Sequence, residues 1–437
     1  MKVVIIAGGK GTRIAAINHE IPKGMIPIGG KPIIEREIEM ARDQGYREFV
    51  LIIGHQGDQI SSYLGDGSRL GVSITYYQEQ QPLGTAGALG YLRDQLTEDF
   101  FVFYGDTVMD IDMASMLEFH RAHQSAATLL VHPNDHPFDS DIIDLDSDRR
   151  VRNFLIKPHP AGMVYHNIVN ASLFIFSPRV LDYCEAGVKS HIEKNLLPRC
   201  LEAGLPLYGY ISHEYIKDMG TVDRYHAVSS DVERGVVAKR NRHNKQRAVF
   251  LDRDGTINVQ VDFLYDPAQV ELIEGVAEAI QCINRSGYLA IVVTNQPVIA
   301  RNLCSLETLD AIHARLETLL GEQGAYLNAI YFCPHHPDKG YPEERPEYKI
   351  DCECRKPKPG MLLQAARDWN IDLSQSIMIG DSWRDEQAAQ NAGVRPILIP
   401  TNAPHALLNA LQQVGLTVAE GPHAENFARR PAQTSAD

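Results

Sequence analysis

Two carboxylates stand two residues apart at the end of an apolar run, where Arg247-Ala248-Val249-Phe250-Leu251 leads into Asp252-Arg253-Asp254-Gly255-Thr256. Alternate residues of an extended chain share a face, so Asp252 and Asp254 point the same way. Side by side in a core, two such charges repel; around Mg²⁺ they are favourable. A polar loop can produce one such pair by accident, so the pair needs company before it counts. A second grouping lies further on: Cys333-Pro334-His335-His336, then Cys352-Glu353-Cys354. Three thiolates, Cys333, Cys352 and Cys354, and one imidazole from His335 or His336 suit tetrahedral Zn²⁺ in a closed, structural site. The stretch 336–350 between them is rich in Pro, Asp, Glu and Lys and has little to build a core from, so a metal is expected to hold it folded. Free buried cysteines or a redox pair leave the Cys-x-His plus Cys-x-Cys grouping unexplained.

The N-terminal half offers a different constellation. Its first apolar run enters Ala7-Gly8-Gly9-Lys10-Gly11-Thr12-Arg13. Glycines let backbone N–H groups approach phosphate, and Lys10 and Arg13 add positive charge for a triphosphate. The spacing is not a Walker A loop, and Ile14 stands where G-x-G-x-x-G needs its third glycine. Alone, it is as well explained as a turn. Four further segments follow in order: Pro22-Lys23-Gly24-Met25-Ile26-Pro27, Pro82-Leu83-Gly84-Thr85-Ala86-Gly87, Tyr104-Gly105-Asp106 and Lys217-Asp218-Met219-Gly220-Thr221. Singly, Asp106 reads as a cap, Lys23 as a surface lysine and Asp218 as a turn residue.

The elements that must position these groups alternate. Residues 2–6, 49–53 and 100–104 read as buried parallel strands, and 32–44 as a helix with Ile34, Ile38 and Ala41 on one face and Pro32 in its first turn. The pattern restarts with a strand at 247–251, a helix at 274–287 and strands at 289–293 and 376–379. This predicts an α/β protein with parallel sheets and right-handed crossovers. The expected division is a first domain at 1–231 ending in a helix near 221–231, a polar linker at 232–246, a second domain at 247–418, and a disordered tail at 419–437.

The chain has 437 residues, enough for two or three domains, with 44% hydrophobic and 22% charged residues. A net charge of −14 and a pI near 5.6 argue against nucleic-acid binding. No apolar run nears the ~20 residues that span a bilayer, and the N-terminal run reads as a strand rather than a secretory signal. Seven cysteines, an odd number in a long chain, suggest no disulfide framework, and the cluster of three suggests metal in a reducing cytoplasm. The sequence leaves self-association into a homo-oligomer open.

The five N-terminal segments, in this order over residues 1–230, resemble the sugar-nucleotide pyrophosphorylases, nucleotidyltransferases that join a nucleoside triphosphate to a sugar 1-phosphate. The resemblance implies a Rossmann-like, GT-A-like sheet. It also implies that Asp106 and Asp218 bind Mg²⁺, that Arg13 steadies the triphosphate and the leaving pyrophosphate, and that Lys23 contacts phosphates near the reacting centre. Gly8, Gly9, Gly11 and Thr12 would meet the nucleotide, Glu79 and Gly84-Thr85-Ala86-Gly87 would shape the base and sugar site, Lys157 would contact the sugar phosphate, and Asn170 and Glu193 would lie near sugar hydroxyls. Ile156 departs from the family's Glu-Lys-Pro. The Pro82–Gly87 loop is closer to guanylyltransferases for mannose-type sugars, which favours GTP.

The D-x-D-G-T segment resembles the haloacid dehalogenase (HAD) phosphatases, and the later motifs follow: Thr294 ends a strand, Lys356 lies in Cys354-Arg355-Lys356-Pro357, and Asp381 and Asp385 lie in Gly380-Asp381-Ser382-Trp383-Arg384-Asp385. The resemblance implies a HAD-like Rossmannoid sheet. Asp252 would be the nucleophile and Asp254 the acid and base. Mg²⁺ would be held by Asp252, the Asp254 carbonyl and Asp381, with Asp385 in support, while Thr294 and Lys356 would neutralise the phosphoryl oxygens. Over 247–400 the motifs resemble D,D-heptose 1,7-bisphosphate 7-phosphatases, in which His335 rather than His336 would ligate zinc and Asn295, Gln296 and Arg355 would contact substrate. Pro297-Val298 and Ser382 depart from that family, and histidinol-phosphate phosphatases share the zinc loop. Together the halves imply a cytoplasmic enzyme that removes the 7-phosphate of a heptose 1,7-bisphosphate and then makes a nucleotide-activated heptose, expected as GDP-D-glycero-α-D-manno-heptose. A scaffold with one inactive domain is the competing reading, and the intact aspartates weigh against it.

Overall fold

The computed structural model describes residues 1–9, 20–340 and 343–417. Gly11, Thr12, Arg13 and the expected tail at 419–437 lie outside the described residues. Two compact units divide the chain: the first takes Met1–Gln246, Glu307–Gln323 and Ala365–Asp372, the second Arg247–Leu306, Gly324–Gln364 and the chain from Leu373 on. Among the described residues no helix is long and apolar enough to cross a membrane.

Besides a short antiparallel pair at Pro27–Ile28 and Lys31–Pro32, the strands of the first unit are β1 (Val3–Ala7), followed after helix α1 (Ile33–Asp43) by β2 (Glu48–Ile53), β3 (Ser73–Gln78), β4 (Phe100–Tyr104), β5 (Thr107–Asp110), β6 (Ala127–His132), β7 (Ile142–Leu145), β8 (Val151–Leu155), β9 (Val169–Phe176), β10 (Leu207–Ile211) and β11 (Tyr215–Asp218). Nine of them form one sheet in the order β8–β7–β9–β4–β1–β2–β3, with β6 joining β9 to β10. β1 runs parallel to both β2 and β4. Alternation along these apolar strands feeds two cores: Val4, Val50, Ile52 and Val102 pack on one face, and Val3, Ile5, Leu51 and Phe103 on the other. That is why the runs are apolar throughout rather than every second residue. The sheet turns both ways from β1, so the carboxyl ends of β1 and β4 flank a crevice, the usual place for a ligand in such sheets.

Helix α1 buries Ile34, Ile38 and Ala41 as expected. It starts one residue later than the sequence suggests: Pro32 has an extended ψ of 145° and caps the helix from outside. Glu37 is also buried, at 1% exposure. The segment 232–246, read as a linker, is folded. Helix α2 (Val222–Glu233) runs into it, and helix α3 (Val236–Lys239) follows Gly235, whose φ is +68°. The buried Gln246 side chain then donates to the carbonyls of Lys239, Asn241 and Asn244 at 3.1, 3.3 and 3.0 Å. Polar composition hid this, because the ordering rests on one glutamine satisfying several carbonyls.

The second unit is a five-stranded sheet of β12 (Arg247–Leu251), β13 (Tyr288–Asn295), β14 (Ala329–Cys333), β15 (Ile377–Gly380) and β16 (Arg395–Leu398), in the order β14–β13–β12–β15–β16. Every pairing is parallel. Helices include α4 (Val276–Ser286) and α5 (Trp383–Ala392). β12 is central, with neighbours on both sides, so the chain leaving Leu251 enters a second switch-point crevice.

Candidate active sites

Asp252 is the first residue beyond β12, and its N–H donates to the Ile379 carbonyl at 3.0 Å, which fixes where the loop begins. Lys356 Nζ lies 2.8 Å from Asp252 Oδ1 and 2.6 Å from Asp385 Oδ1, with the lysine 2% exposed. Asp385 is aimed inward because its other oxygen accepts from the Ser382 N–H at 3.0 Å and the Ser382 hydroxyl at 2.8 Å, closing the capping box of α5. Asp381 needs a glycine opposite it: Gly255 has φ +81°, and a Cβ there would stand 2.3 Å from Asp381 Oδ2.

Asp252, Asp381 and Asp385 each bring an oxygen into a space where all three lie within 4.8 Å of one another. Burial pushes the Asp252 carboxyl up to about 7, against the pull of Lys356 and with the like charges of Asp385 and Asp254 adding to it. Burial likewise raises Asp381, with a hydrogen bond from Thr401 opposing and Asp385 adding. Three crowded carboxylates beside one lysine are an oxygen donor set with surplus negative charge, which fits Mg²⁺.

Asp254 sits differently. Its carboxylate accepts from Arg253 Nε at 3.1 Å, from Asn258 at 2.9 Å and from Gln296 at 2.8 Å, and it ion-pairs with Arg253 Nη2 at 2.8 Å. Burial would raise it, but the Arg253 charge and the amide donors outweigh that and hold it below the usual carboxylate range. Its side chain is outside the acidic trio. Gln296 also donates to Thr294 Oγ1 at 2.9 Å, which leaves the Thr294 hydroxyl proton for a phosphoryl oxygen. Asn295, expected on substrate, spends both ends of its amide on one backbone: Oδ1 accepts from Lys356 N–H and Nδ2 donates to the Lys356 carbonyl, each at 3.0 Å. Gln296 too is turned inward, its amide shared between Asp254 and Thr294.

The cage residues come together. Cys354 Sγ lies 3.1 Å from Cys333 Sγ and 3.2 Å from Cys352 Sγ, Cys333 and Cys352 are 3.5 Å apart, and His335 Nδ1 is 3.4 Å from Cys354 Sγ. Four soft and borderline donors facing one point suit Zn²⁺. Arg355, next to Cys354, donates to the His335 carbonyl at 2.9 Å. Among the described residues this cage and the acidic trio are the two groups of metal-binding reach.

In the first unit Asp106 follows β4, and Lys23 forms an ion pair with it. β5 pairs antiparallel with β11 so that Thr107 faces Asp218, and the Met219 N–H donates to the Asp106 carbonyl at 3.0 Å. The two distant aspartates are thereby neighbours, with Asp218 ion-paired to Arg224. Gly8 lets the first loop close on Glu79, since a Cβ there would be 2.2 Å from Glu79 Oε2. Glu79 accepts from the Leu83 N–H at 3.1 Å. The Gly84-Thr85 turn is seated on 190–192: Gly84 has φ +75°, its Cβ would meet the Ser190 carbonyl at 2.3 Å, and Thr85 Oγ1 accepts from the Ile192 N–H at 2.8 Å. Glu193 Oε1 accepts from Tyr104 at 2.7 Å and Asn170 at 3.3 Å, and burial raises its carboxyl.

The Lys157 side chain is about half exposed and lies 3.3 Å from Asp139 Oδ1, while its N–H donates to Asp141 Oδ1 at 3.1 Å and the Asp141 carbonyl accepts from the Asn170 N–H at 3.4 Å. Among the described residues no atom lies within 4 Å of a would-be Cβ at Gly9. Spacing in the chain gave no signal for Tyr104, Arg224 or Glu37. Glu37 Oε1 accepts from the Thr107 N–H at 3.3 Å, and its other oxygen is buried without a partner among the described residues.

Known proteins match both halves. Residues 2–235 match the nucleotidyl transferase family and residues 353–418 a HAD-hydrolase-like family. A D-glycero-β-D-manno-heptose-1,7-bisphosphate 7-phosphatase of Vibrio cholerae is 44% identical over 158 residues, which are 36% of this chain and 83% of that protein. A UTP–glucose-1-phosphate uridylyltransferase of Synechocystis is 32% identical over 240 residues, 52% of this chain. A probable mannose-1-phosphate guanylyltransferase of Oryza sativa is 34% identical over 226 residues, 50% of this chain. The match spans 61% of the length of each of these two transferases.

Proposed function

Because the chain belongs to the nucleotidyl transferase family through residues 2–235 and to the D-glycero-β-D-manno-heptose-1,7-bisphosphate 7-phosphatase family through its C-terminal part, we propose that it carries out two successive steps on one heptose. The phosphatase half, residues 247–418, releases the 7-phosphate of D-glycero-D-manno-heptose 1,7-bisphosphate. The transferase half, residues 1–231, joins the heptose 1-phosphate to GMP from GTP and releases pyrophosphate. The reaction is cytoplasmic. The observation that carries the reading is the Asp252–Lys356–Asp385 array beside Asp381, a nucleophile, a cation and metal-binding carboxylates in one pocket.

In the first step an Asp252 oxygen attacks phosphorus, the bond from phosphorus to the C7 oxygen breaks, and Asp254 supplies the proton that the leaving oxygen takes up. Water then attacks the aspartyl phosphate, Asp254 accepts its proton, and inorganic phosphate leaves. The free-state geometry prepares the second half of this cycle, because Arg253 keeps Asp254 ionised. The negative charge of an arriving phosphate raises it for the first half. Thr294 and Lys356 meet the equatorial oxygens. Asp252, the Asp254 carbonyl and Asp381 would hold Mg²⁺, which supplies charge neutralisation there, and Zn²⁺ would hold the cysteine cage closed.

In the second step an oxygen of the sugar phosphate attacks the α-phosphorus of GTP. Asp106 and Asp218 would hold Mg²⁺, and Lys23 and Arg13 neutralise the phosphates. GTP rather than UTP rests on the Pro82–Gly87 loop, since the transferase relatives divide between the two bases. The phosphatase relative is named for a β-anomer, whereas the guanylyl product expected from the sequence is α, so the assay takes both anomers. Purified protein is given each heptose 1,7-bisphosphate with GTP, ATP, CTP or UTP, and histidinol phosphate separately. Formation of a GDP-heptose with phosphate and pyrophosphate supports the reading. Faster turnover of histidinol phosphate sinks it.

A further inference from the structure

Asp218 ends β11, and the chain returns to it six residues later: Arg224, in the first turn of α2, forms an ion pair with its Oδ1. Thr221 caps that helix by accepting from the Arg224 N–H at 3.3 Å. A cation in a first turn opposes the helix dipole, and the two side chains are 41% and 45% exposed, so the pair adds little to stability. Arg224 is nevertheless braced from its other side. Its Nη2 lies 3.2 Å from His136 Nε2, and His136 Nδ1 lies 2.6 Å from Asp135 Oδ1. The Asp135 carboxylate accepts from Nδ1, which leaves Nε2 to accept from the guanidinium. The His136 N–H donates at 3.1 Å to Oδ1 of the buried Asn134, so the histidine is anchored at its backbone as well. The chain Asp135–His136–Arg224–Asp218 thus holds one guanidinium against a carboxylate expected to bind an ion.

This array stands on the sugar side of the transferase site. His136 follows β6, which pairs with β9 so that Val131 faces Asn170. Asn167 clasps Asn134, accepting from its N–H at 3.2 Å and donating to its carbonyl at 2.7 Å. Asn170 in turn donates to Glu193, where sugar hydroxyls are expected. A Cβ at Gly220 would stand 2.7 Å from Asp218 Oδ2, so the glycine leaves the second oxygen room for a hard cation.

We propose that Arg224 is a further substrate-binding residue of the transferase half, taking the phosphate of the sugar 1-phosphate, and that His136 and Asp135 are the residues that position it. The inference rests on the transferase reading above and adds a ligand for its acceptor substrate. A divalent ion and a guanidinium on one carboxylate carry surplus positive charge, which a phosphate dianion takes up through the guanidinium fork. Until that phosphate arrives, the ion and the guanidinium repel each other across Asp218.

The test uses full-length protein carrying Asp381→Asn, so that Mn²⁺ titrated by electron paramagnetic resonance reports the transferase site. Arg224→Ala should bind Mn²⁺ at least about threefold more tightly without substrates, having lost a repelling cation, whereas a merely structural arginine would leave the site weaker. In nucleotidyl transfer the same variant should raise KM for heptose 1-phosphate roughly ten- to a hundredfold, the worth of a charge-assisted hydrogen bond, with KM for GTP held within about twofold. Arg224→Lys should recover part of that loss, and His136→Ala should raise the same KM without tightening Mn²⁺. Unchanged Mn²⁺ binding or an unchanged KM for heptose 1-phosphate in folded Arg224→Ala overturns the assignment and leaves the transferase reading standing, as does a rise confined to GTP. If Arg224→Ala does not fold, Arg224→Lys carries the same comparison, and wild-type KM there overturns the assignment. Wild-type protein that makes no nucleotide sugar from heptose 1-phosphate with GTP, ATP, CTP or UTP overturns the transferase reading and the inference with it.

Discussion

Lys356 Nζ lies 2.6 Å from Asp385 Oδ1, and both groups are almost wholly sealed from water. A buried cation tolerates this only with its anions in place. Asp385→Ala should therefore destabilise the second unit by about 3 kcal/mol, measured by urea unfolding at neutral pH, and should slow phosphate release at least about a hundredfold. Asp385→Asn keeps a carbonyl for the Ser382 cap and should cost less stability while losing a similar share of rate. Equal stability of Asp385→Ala and wild type would refute the pairing argument.

The two chemistries should separate cleanly. Asp252→Asn removes the proposed nucleophile and should lower phosphate release by at least about a thousandfold while nucleotidyl transfer continues. Asp106→Asn should do the reverse. Both rates are read on one preparation with circular dichroism as the folding control. A folded variant in which either change stops both reactions contradicts independent sites.

Glu37 gives a signed pH dependence. Its carboxyl is raised well above the ordinary value by burial first and by the charge of Asp106 second, with the Thr107 N–H opposing. A raised pKa means that the fold favours the protonated form. The stability it contributes is full below the unfolded value of about 4.3 and is lost as pH rises toward the folded value. Wild type should thus lose stability relative to Glu37→Gln between pH 5 and pH 8.5 in urea melts. A wild type that gains on the variant over that range would show the carboxyl to be ionised in place.

The cysteine cage should carry metal. Protein purified without chelator should contain about one equivalent of zinc, and Cys352→Ser or prolonged chelation should remove it. Residues 336–350 would then become protease-sensitive and phosphatase activity would fall, while nucleotidyl transfer is retained, because the cage lies next to Arg355 and Lys356 in the chain. Full phosphatase activity in metal-stripped, Mg²⁺-supplied protein would count against this.

Much of this architecture is written locally. Apolar runs such as Val3–Ala7 and Arg247–Leu251 name their own strands, and the carboxylates of the phosphatase site follow strand ends, so motif and position coincide. Side-chain direction is not local. Asn295 and Gln296 sit in the expected segment but face the Lys356 backbone and the Asp254 carboxylate, because those partners come from residues far along the chain. The Lys157 side chain pairs with Asp139, while its N–H meets Asp141, whose carbonyl accepts from the Asn170 N–H. Glu37 on an apolar helix face, and Tyr104 reaching Glu193, answer to groups dozens of residues away, which periodicity does not encode. The same holds for Gln246, whose carbonyl partners turned an apparent tether into a folded cap.

The amide of Asn295 grips both backbone atoms of Lys356, so the strand that ends in Thr294 and the stretch that leaves the cysteine cage are fastened as one part. Chimeras that graft one of these segments from another phosphatase without the other will misplace the ammonium even when every motif letter is retained. Drift at either end must be matched at the other, which makes position 295 a hinge pin for inheritance as much as for geometry.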